Sequence, residues 1–147
     1  MPMIDAVDRV LIDLLSENAR LSLKQLAAES GLSSPATAER LRRLHERGVI
    51  RRFTVEIDHK ALGFALEAIV RIRPLPARVH ILEKLIRENP HIVECDKVTG
   101  DDCFVARVVV RSIEQIDTIM NEIADNAMSS TAIVKSQPVK RRLPPLG

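Results

Sequence analysis

The sequence predicts an α+β protein made of two modules, and three observations support this. The first 50 residues carry helix signals throughout, whereas from Phe64 onward β-branched runs alternate with amphipathic helical stripes. The charge balance also changes, because residues 1–52 hold nine Lys and Arg against seven Asp and Glu, and residues 53–136 hold ten against thirteen. Finally, 147 residues that are 46% hydrophobic and 29% charged suit two small domains, each with its own core.

The first two helices of the N-terminal module have recognisable ends. The first runs from Asp5, a good N-cap, to about Glu17, with apolar residues at i, i+3 and i+4 spacing. The second opens with a capping box in which Ser22 and Gln25 satisfy the first free amides. It stops at Gly31, because glycine readily adopts the left-handed conformation of a C-terminal cap.

A third helix and a basic segment complete this module. The helix begins at residue 33 or 34, with Pro35 in the first turn, and it ends at Gly48. The link over residues 30–33 is a short turn that contains glycine, which is the signature of a helix-turn-helix. The segment Val49–Val55 alternates loosely between apolar and polar residues, and it predicts a strand or wing.

Six arginines fall within residues 40–52 together with one acid, Glu46. This clustering favours a polyanionic partner, double-stranded DNA, although a surface helix solvated by arginines would show the same pattern. A recognition helix places its N-terminal half against base edges, and flanking cations contact phosphates. The predicted base contacts are Ser34, Ala36, Glu39, Arg40 and Arg43, and the predicted phosphate contacts are Arg42, Arg47, Arg51 and Arg52. An i,i+4 ion pair is the alternative role for Glu39 and Arg43.

The second module has the element order βαββαβ, which predicts a four-stranded antiparallel sheet with two helices on one face. Alternate residues such as Val105 and Val109 make the other face apolar as well. That face needs a cover, and a second copy of the chain is the simplest one. The predicted elements are strands over 64–72, 92–98, 104–110 and 131–139, a helix over 79–89, and a helix opened by a capping box at 112–115.

Six stretches of the sequence match one protein family in order and spacing. They are IDAVDRVLIDLL from Ile4, NARLSLKQLA from Asn18, GLS from Gly31, ERLRRLHERGVI from Glu39, VTGDD from Val98 and STAIV from Ser130. Through them the chain resembles, over essentially its whole length, the Lrp/AsnC family of bacterial and archaeal transcription regulators, also called feast/famine regulators.

The resemblance implies a particular domain organisation and set of partners. Residues 1–52 would form a winged helix-turn-helix, 53–63 a linker strand or hinge, 64–141 a ferredoxin-like regulatory (RAM) domain for effector binding and oligomerisation, and 142–147 a tail. The family forms homodimers, often assembled into octamers, that bind promoter DNA. The effector implied is a small molecule, most simply an amino acid.

The candidate effector site combines the glycine loop of the second module with the final strand. Gly100 would let backbone amides approach a carboxylate, and adjacent acids would hold an ammonium group. The family's loop commonly reads Gly-x-x-Asp, but Cys103 stands at that position here, so we expect a preference for apolar or aromatic amino acids. A β-turn without a ligand is an equally good interpretation of the loop. The site residues are Thr99, Gly100, Asp101, Asp102, Cys103, Ser130 and Thr131.

The residue inventory excludes several other functions. The four histidines are scattered, and none has a Cys or His partner at metal-ligand spacing, so neither a metal, another cofactor nor an enzymatic activity is expected. Cys95 and Cys103 are interpreted as small buried residues, with redox sensing at Cys103 as the second interpretation. With three Phe and no Trp or Tyr, the chain lacks the aromatic surface typical of single-strand or RNA binding.

Targeting signals are also missing from the sequence. No run of about 18 apolar residues predicts a membrane span, and three aspartates among the first 20 residues argue against a secretory signal, so a cytoplasmic protein is expected. The sequence therefore predicts a sequence-specific transcriptional regulator modulated by a small effector. The alternative is an architectural DNA-binding protein that works without a ligand.

Overall fold

The computed structural model describes residues 4–147, which form two compact units. One unit comprises the chain up to Glu56 together with Val139–Gly147, and the other comprises Ile57–Pro138. The chain therefore passes between the units twice. Val139–Gly147 lie with the N-terminal unit and do not continue the sheet of the second.

Three helices build the N-terminal unit, and their ends follow the predicted cap chemistry. Asp5 accepts a hydrogen bond from the backbone of Asp8, while Ser22 and Gln25 form the expected capping box. Gly31 closes the second helix with a φ of 71°. Leucines from all three helices form the core, and none is more than 2% exposed: Leu11, Leu26 and Leu44. The helices are α1 (Ala6–Glu17), α2 (Leu23–Ser30) and α3 (Ser34–Glu46).

The strand predicted over residues 49–55 does not form. The backbone N–H groups of Val49 and Ile50 instead donate to the carbonyl of Leu44 at the end of α3, at 2.9 and 3.1 Å. Residues 51–58 are exposed and pair with no other segment of the described chain. A single extended segment leaves its backbone groups unpaired, so alternation in the sequence is insufficient for a strand unless a second segment lies beside it.

The second unit contains the predicted four-stranded antiparallel sheet. Across the sheet, the second strand of the chain lies at one edge and is followed by the third, the first and the fourth. The third strand has the bounds that the sequence predicts. The α+β fold class is thereby confirmed. The elements are β1 (Leu66–Pro74), α4 (Val79–Glu88), β2 (Ile92–Lys97), β3 (Phe104–Val110), α5 (Ile113–Ile123) and β4 (Ala127–Ile133).

The core of this unit lies between one face of the sheet and the two helices. Ala68, Val70 and Ile72 alternate along β1 and are fully buried. Leu82 of α4 and Ile119 of α5 belong to the same hydrophobic cluster. The buried face of β1, on which every second residue is apolar, therefore packs against the apolar stripes of α4 and α5, as the sequence pattern predicts.

β1 lies two residues further along the chain than predicted, and two other elements differ more. β4 begins at Ala127, four residues early, because α5 ends in a tight turn and Ala127 pairs at once with Pro74 of β1, and it ends at Ile133, six residues before the predicted end. The capping box at residues 112–115 is absent, since Gln115 Oε1 accepts from the backbone N–H of Arg111 at 2.6 Å and Ser112 makes no side-chain cap bond. Both differences arise where a strand and a helix follow each other almost without a loop.

Candidate DNA-binding surface and effector loop

The outward face of α3 carries most of the side chains predicted to contact bases. Thr37 and Leu44 are buried in the unit, which turns the opposite side of the helix to solvent. Ala36, Glu39 and Arg43 are exposed there, and Ser34 is half-buried at the first turn. The Ser33 hydroxyl accepts from the backbone N–H of Ala36 at 3.3 Å and so anchors the start of the helix.

Arg40, predicted to contact bases, is instead directed towards α1. Its Nη1 donates to Asp5 Oδ2 at 2.6 Å and to Asp8 Oδ1 at 2.9 Å. The pKa of Asp5 lies below its ordinary value, mainly because Arg40 donates to its carboxylate and also because the Asp8 backbone N–H does so. Arg40 therefore joins the middle of α3 to the N-terminus of α1. The two aspartates were not among the predicted site residues, although acids in the first turn of a helix are a visible signal.

Arg42, predicted to contact phosphate, is held between two carboxylates of its own helix. Its Nε and Nη2 donate to the two oxygens of Glu39 at 3.0 and 2.6 Å, and its Nη1 donates to Glu46. These bonds raise the pKa of Arg42 and lower that of Glu39. The ion pair considered between Glu39 and Arg43 is replaced by this i,i+3 pair with Arg42.

The other basic residues of this region are differently placed. Arg43, Arg51 and Arg52 are exposed, and no carboxylate of the described chain lies within ion-pair distance of them. Arg47 is exposed and lines a shallow recess with Arg40 and Arg43. Arg43 on α3, and Arg51 and Arg52 after it, are thus cations without a carboxylate at ion-pair distance in the described part of the chain.

The glycine loop, residues 99–102, connects β2 to β3 and is closed by a hydrogen bond from Val98 N to the carbonyl of Cys103 at 2.7 Å. Gly100 has a φ of 103°, which is unfavourable for a side chain, and no atom lies within 4 Å of the position where a Cβ would be. Asp102 Oδ1 accepts from Arg73 Nε at 3.1 Å. The loop therefore offers open backbone at Gly100 and a carboxylate already paired with an arginine.

The two predicted effector residues on β4 face opposite sides of the sheet. Ser130 pairs with Arg71, and Thr131 pairs with Val70, whose side chain is in the core. Ser130 therefore shares its face with Arg71 and Arg73, while Thr131 lies on the face towards the helices. The strand register supports a shared environment for Asp102, Arg73 and Ser130, and not for Thr131.

Cys103 packs against the hydrophobic core, as does Cys95. Both thiols are free, and Cys95 pairs with Ala106 in the strand register. Burial raises the pKa of Cys95, and the nearby carboxylate of Asp96 contributes. Asp102 and Cys103 thus have different surroundings, since one contacts Arg73 and the other lies against apolar side chains.

The sheet face opposite α4 and α5 is less apolar than predicted. Val109 is buried and Val105 is half-buried, as expected for apolar positions. Arg107 stands among them, with Nη1 at 3.2 Å from Glu67 and Nε at 3.7 Å from Glu94. The register places Glu67 opposite Val109, so the expectation of an apolar face holds at Val105 and Val109 and is wrong at Arg107 and Glu67.

Two negative observations apply to the described part of the chain, residues 4–147. There is no group of three or more His, Cys, Asp and Glu that could hold a metal ion. None of its helices is long and apolar enough to cross a membrane.

A helix-turn-helix with an arginine-rich third helix, followed by a separate βαββαβ domain, defines a class of DNA-binding transcriptional regulators. Sequence models agree with this class: the Lrp/AsnC ligand binding domain matches residues 67–144, and the winged helix-turn-helix DNA-binding domain matches residues 4–51. The chain belongs to the Lrp/AsnC family.

Individual relatives are similar over most of their length. The transcriptional regulator LrpC of Bacillus subtilis is 28% identical over 134 residues, which are 91% of this chain and 93% of that protein. Its solved structure has a TM-score of 0.88 and 28% identity, covering 94% of this chain and 99% of that one. LrpA of Mycobacterium tuberculosis is 32% identical over 132 residues, 84% of this chain and 83% of that protein.

One solved relative contains an amino acid. The feast or famine regulatory protein of M. tuberculosis complexed with L-methionine is 29% identical, with a TM-score of 0.87 over 95% of this chain and 97% of that one. The relatives are named as transcriptional regulators, so the prediction that the protein is a regulator and not an enzyme is confirmed.

Proposed function

We propose that the protein binds promoter DNA sequence-specifically as a homodimer or an octamer built from it, and that an amino-acid effector modulates this binding. The single observation that carries the proposal is the exposed arginine surface on and after α3. A metabolic enzyme or a stand-alone amino-acid sensor has no use for a helix-turn-helix followed by a cationic segment.

The arginines divide into two groups according to their contacts. Arg43 lies on the outward face of α3 without an ion-pair partner among residues 4–147, so it is available to donate both branches of its guanidinium to a guanine. Arg51 and Arg52 follow the helix on exposed backbone, where cations contact phosphates and set the register of the protein on the duplex. Arg40 holds α1 against α3 and supports the surface without reading it.

The segment after α3 supports assembly with a second copy. Phe53, Val55 and Ile57 are 58, 75 and 50% exposed, and they occupy alternate positions of a segment that has no regular secondary structure and pairs with no described segment. Pairing with the same segment of another copy would satisfy the backbone groups and cover the apolar side chains. On the second sheet face, the half-buried Val105 offers a further apolar contact for the partner copy.

The glycine loop supports an amino-acid effector. An amino acid carries a carboxylate, which the open backbone at Gly100 can approach, and an ammonium group, which Asp101 or Asp102 can accept. Arg73, which lies beside Asp102, is a second candidate partner for the ligand carboxylate, in place of the backbone at Gly100. A ligand with an apolar or aromatic side chain is preferred, because Cys103 supplies no charge at the position where the family commonly has an aspartate, and a relative has been solved with L-methionine.

Two measurements test the proposal and separate it from architectural binding. Genomic fragments selected by the protein are sequenced, and binding to an enriched fragment is compared with random DNA over a range of salt. A regulator prefers the fragment by about 1,000-fold or more, whereas an architectural protein shows little preference. The twenty amino acids are then added to the complex, and at least one should shift its affinity or its size. If no amino acid has an effect, the architectural alternative is favoured.

A further inference from the structure

We propose that Arg42 is a positioning residue that presents the carboxylate of Glu39 to a base amino group in the major groove, the N4 amino group of a cytosine. The inference rests on the proposed function, since it assigns one specificity contact within that DNA surface. It also changes the expected role of Arg42, which the sequence placed against a phosphate.

Arg42 and Glu39 form a bidentate ion pair, which we call the Glu39 clamp. Arg42 Nε lies 3.0 Å from Glu39 Oε2, and Nη2 lies 2.6 Å from Oε1, so each carboxylate oxygen receives one N–H donor. Such bidentate pairing fixes the plane of both groups, in contrast to a single contact. A carboxylate has about four acceptor sites, so two remain for donors on the solvent side.

Glu46 holds the other end of Arg42. Its carboxylate accepts from Nη1 one turn further along α3, so carboxylates lie three residues before and four residues after the arginine. The three charged groups sum to one negative charge, which opposes contact with a phosphate. An arginine in this arrangement would have to leave two carboxylates before it could bind the DNA backbone.

The position of Glu39 on the helix suits a base contact. It is exposed on the side opposite the buried Thr37 and Leu44, and it follows the exposed Ala36 by three residues on the same face. Glutamate accepts from the cytosine amino group, whereas guanine and thymine present acceptors at the corresponding major-groove edge and would repel it. Exposed ion pairs contribute little to folding stability, so orientation is the main consequence of the clamp.

The test compares five single variants and one double variant of the whole chain on an enriched DNA fragment and on fragments changed at each C·G pair. The clamp variants are Arg42→Gln and Arg42→Lys, which lack the two-branched donor. Glu39→Gln removes the ionised acceptor, Glu46→Gln leaves the Glu39 clamp intact, and Arg51→Gln is the control for a phosphate contact.

We expect both Arg42 variants and Glu39→Gln to reduce discrimination at the same C·G pair by about tenfold. The double variant with Arg42→Gln and Glu39→Gln should lose no more than either single one, because both act on one contact. The slope of log affinity against log salt should not fall in Arg42→Gln, but should fall by about one in Arg51→Gln. Glu46→Gln should keep the base preference of the unaltered protein.

Two results would overturn the inference. In one, Arg42→Gln weakens binding to all fragments equally and lowers the salt slope by about one, which identifies a phosphate contact. In the other, Glu39→Gln keeps full discrimination at every C·G pair. Failure of the proposed function looks different, since the unaltered protein would then show no preference for any fragment. Thermal unfolding of each variant checks that the fold is intact.

Discussion

Arg40 of α3 and Asp8 of α1 form a half-buried ion pair in which Nη1 lies 2.9 Å from Oδ1. The same nitrogen also contacts Asp5, and the two aspartates form the capping box of α1. One arginine therefore stabilises the first turn of α1 and fixes the angle at which α3 is presented. The pair makes the N-terminal unit sensitive to changes at residues outside the outward face of α3.

The first prediction concerns this ion pair. Asp8→Ala removes the reciprocal half of the capping box and the buried partner of Arg40, so it should lower the free energy of unfolding by about 1–2 kcal/mol. Urea denaturation followed by circular dichroism measures the change. Asp13→Ala, an exposed aspartate on the same helix, is the matched control and should have little effect. Equal losses in both variants would contradict a special role for Asp8.

The second prediction follows from the lowered pKa of Asp5. Its pKa in the folded protein lies below the ordinary value of 3.8, mainly because Arg40 donates to it. The stabilisation is therefore fully present above that ordinary value, and it is lost as the pH falls through the lower pKa of the folded state. Unfolding measured between pH 5 and pH 2.5 should show a steeper loss of stability in the unaltered protein than in Arg40→Gln. Parallel pH profiles would argue against the interaction.

The third prediction separates base contacts from phosphate contacts. Arg43→Ala should weaken specific binding by about 1–3 kcal/mol and relax the preferred sequence, because Arg43 is exposed on the outward face of α3. Arg51→Ala should weaken binding to all DNA alike and lower the salt slope by about one. Gel shift or fluorescence anisotropy titrations on specific and random duplexes measure both effects. Equal losses of Arg43→Ala on the two duplexes would reject its role in base recognition.

The fourth prediction concerns the glycine loop. Gly100→Arg should abolish the heat of amino-acid binding in calorimetry, because the backbone at φ 103° disfavours any side chain and the arginine would fill the open space beside it. Binding to DNA without an effector should persist, since the loop lies in the other unit. Amino-acid binding that survives the substitution would place the site elsewhere in the protein.

The fifth prediction concerns assembly. Light scattering at micromolar concentration should show a particle at least twice the 16.4 kDa of one chain. Val55→Asp should shift the population towards smaller particles, because it puts a charge on an exposed apolar residue in the segment without a strand partner. Ala61→Asp, at an exposed position just beyond that segment, adds the same single negative charge and is the control. A monomeric unaltered protein would exclude the dimer.

Helix ends were predictable because cap chemistry acts over three or four residues. Ser22, Gln25 and Gly31 adopt the expected conformations, since each side chain or φ angle serves a backbone group close by in sequence. The same four-residue pattern failed at Ser112 and Gln115. There the end of β3 brings the Arg111 N–H group within reach of Gln115, which takes that donor instead.

The candidate site was predictable as a region but not as a set of contacts. Clustered arginines indicated the DNA surface, yet Arg40 pairs with Asp5 and Asp8, which lie 35 and 32 residues away in sequence. Likewise Asp102 pairs with Arg73 at a separation of 29 residues. No local pattern distinguishes an arginine that is directed to an acid from one that remains available to DNA.

The sequence by itself determined the order of the elements in the second unit, the caps of α1 and α2 and the face of the sheet that packs on the helices, because periodicity and capping depend on residues a few positions apart. Only the tertiary structure decided that Arg40 faces α1, that residues 51–58 lack a strand partner within the described chain and that β4 starts at Ala127. The reason is physical: ion pairs and strand ladders form between segments that packing brings within hydrogen-bond distance, whatever their separation along the chain.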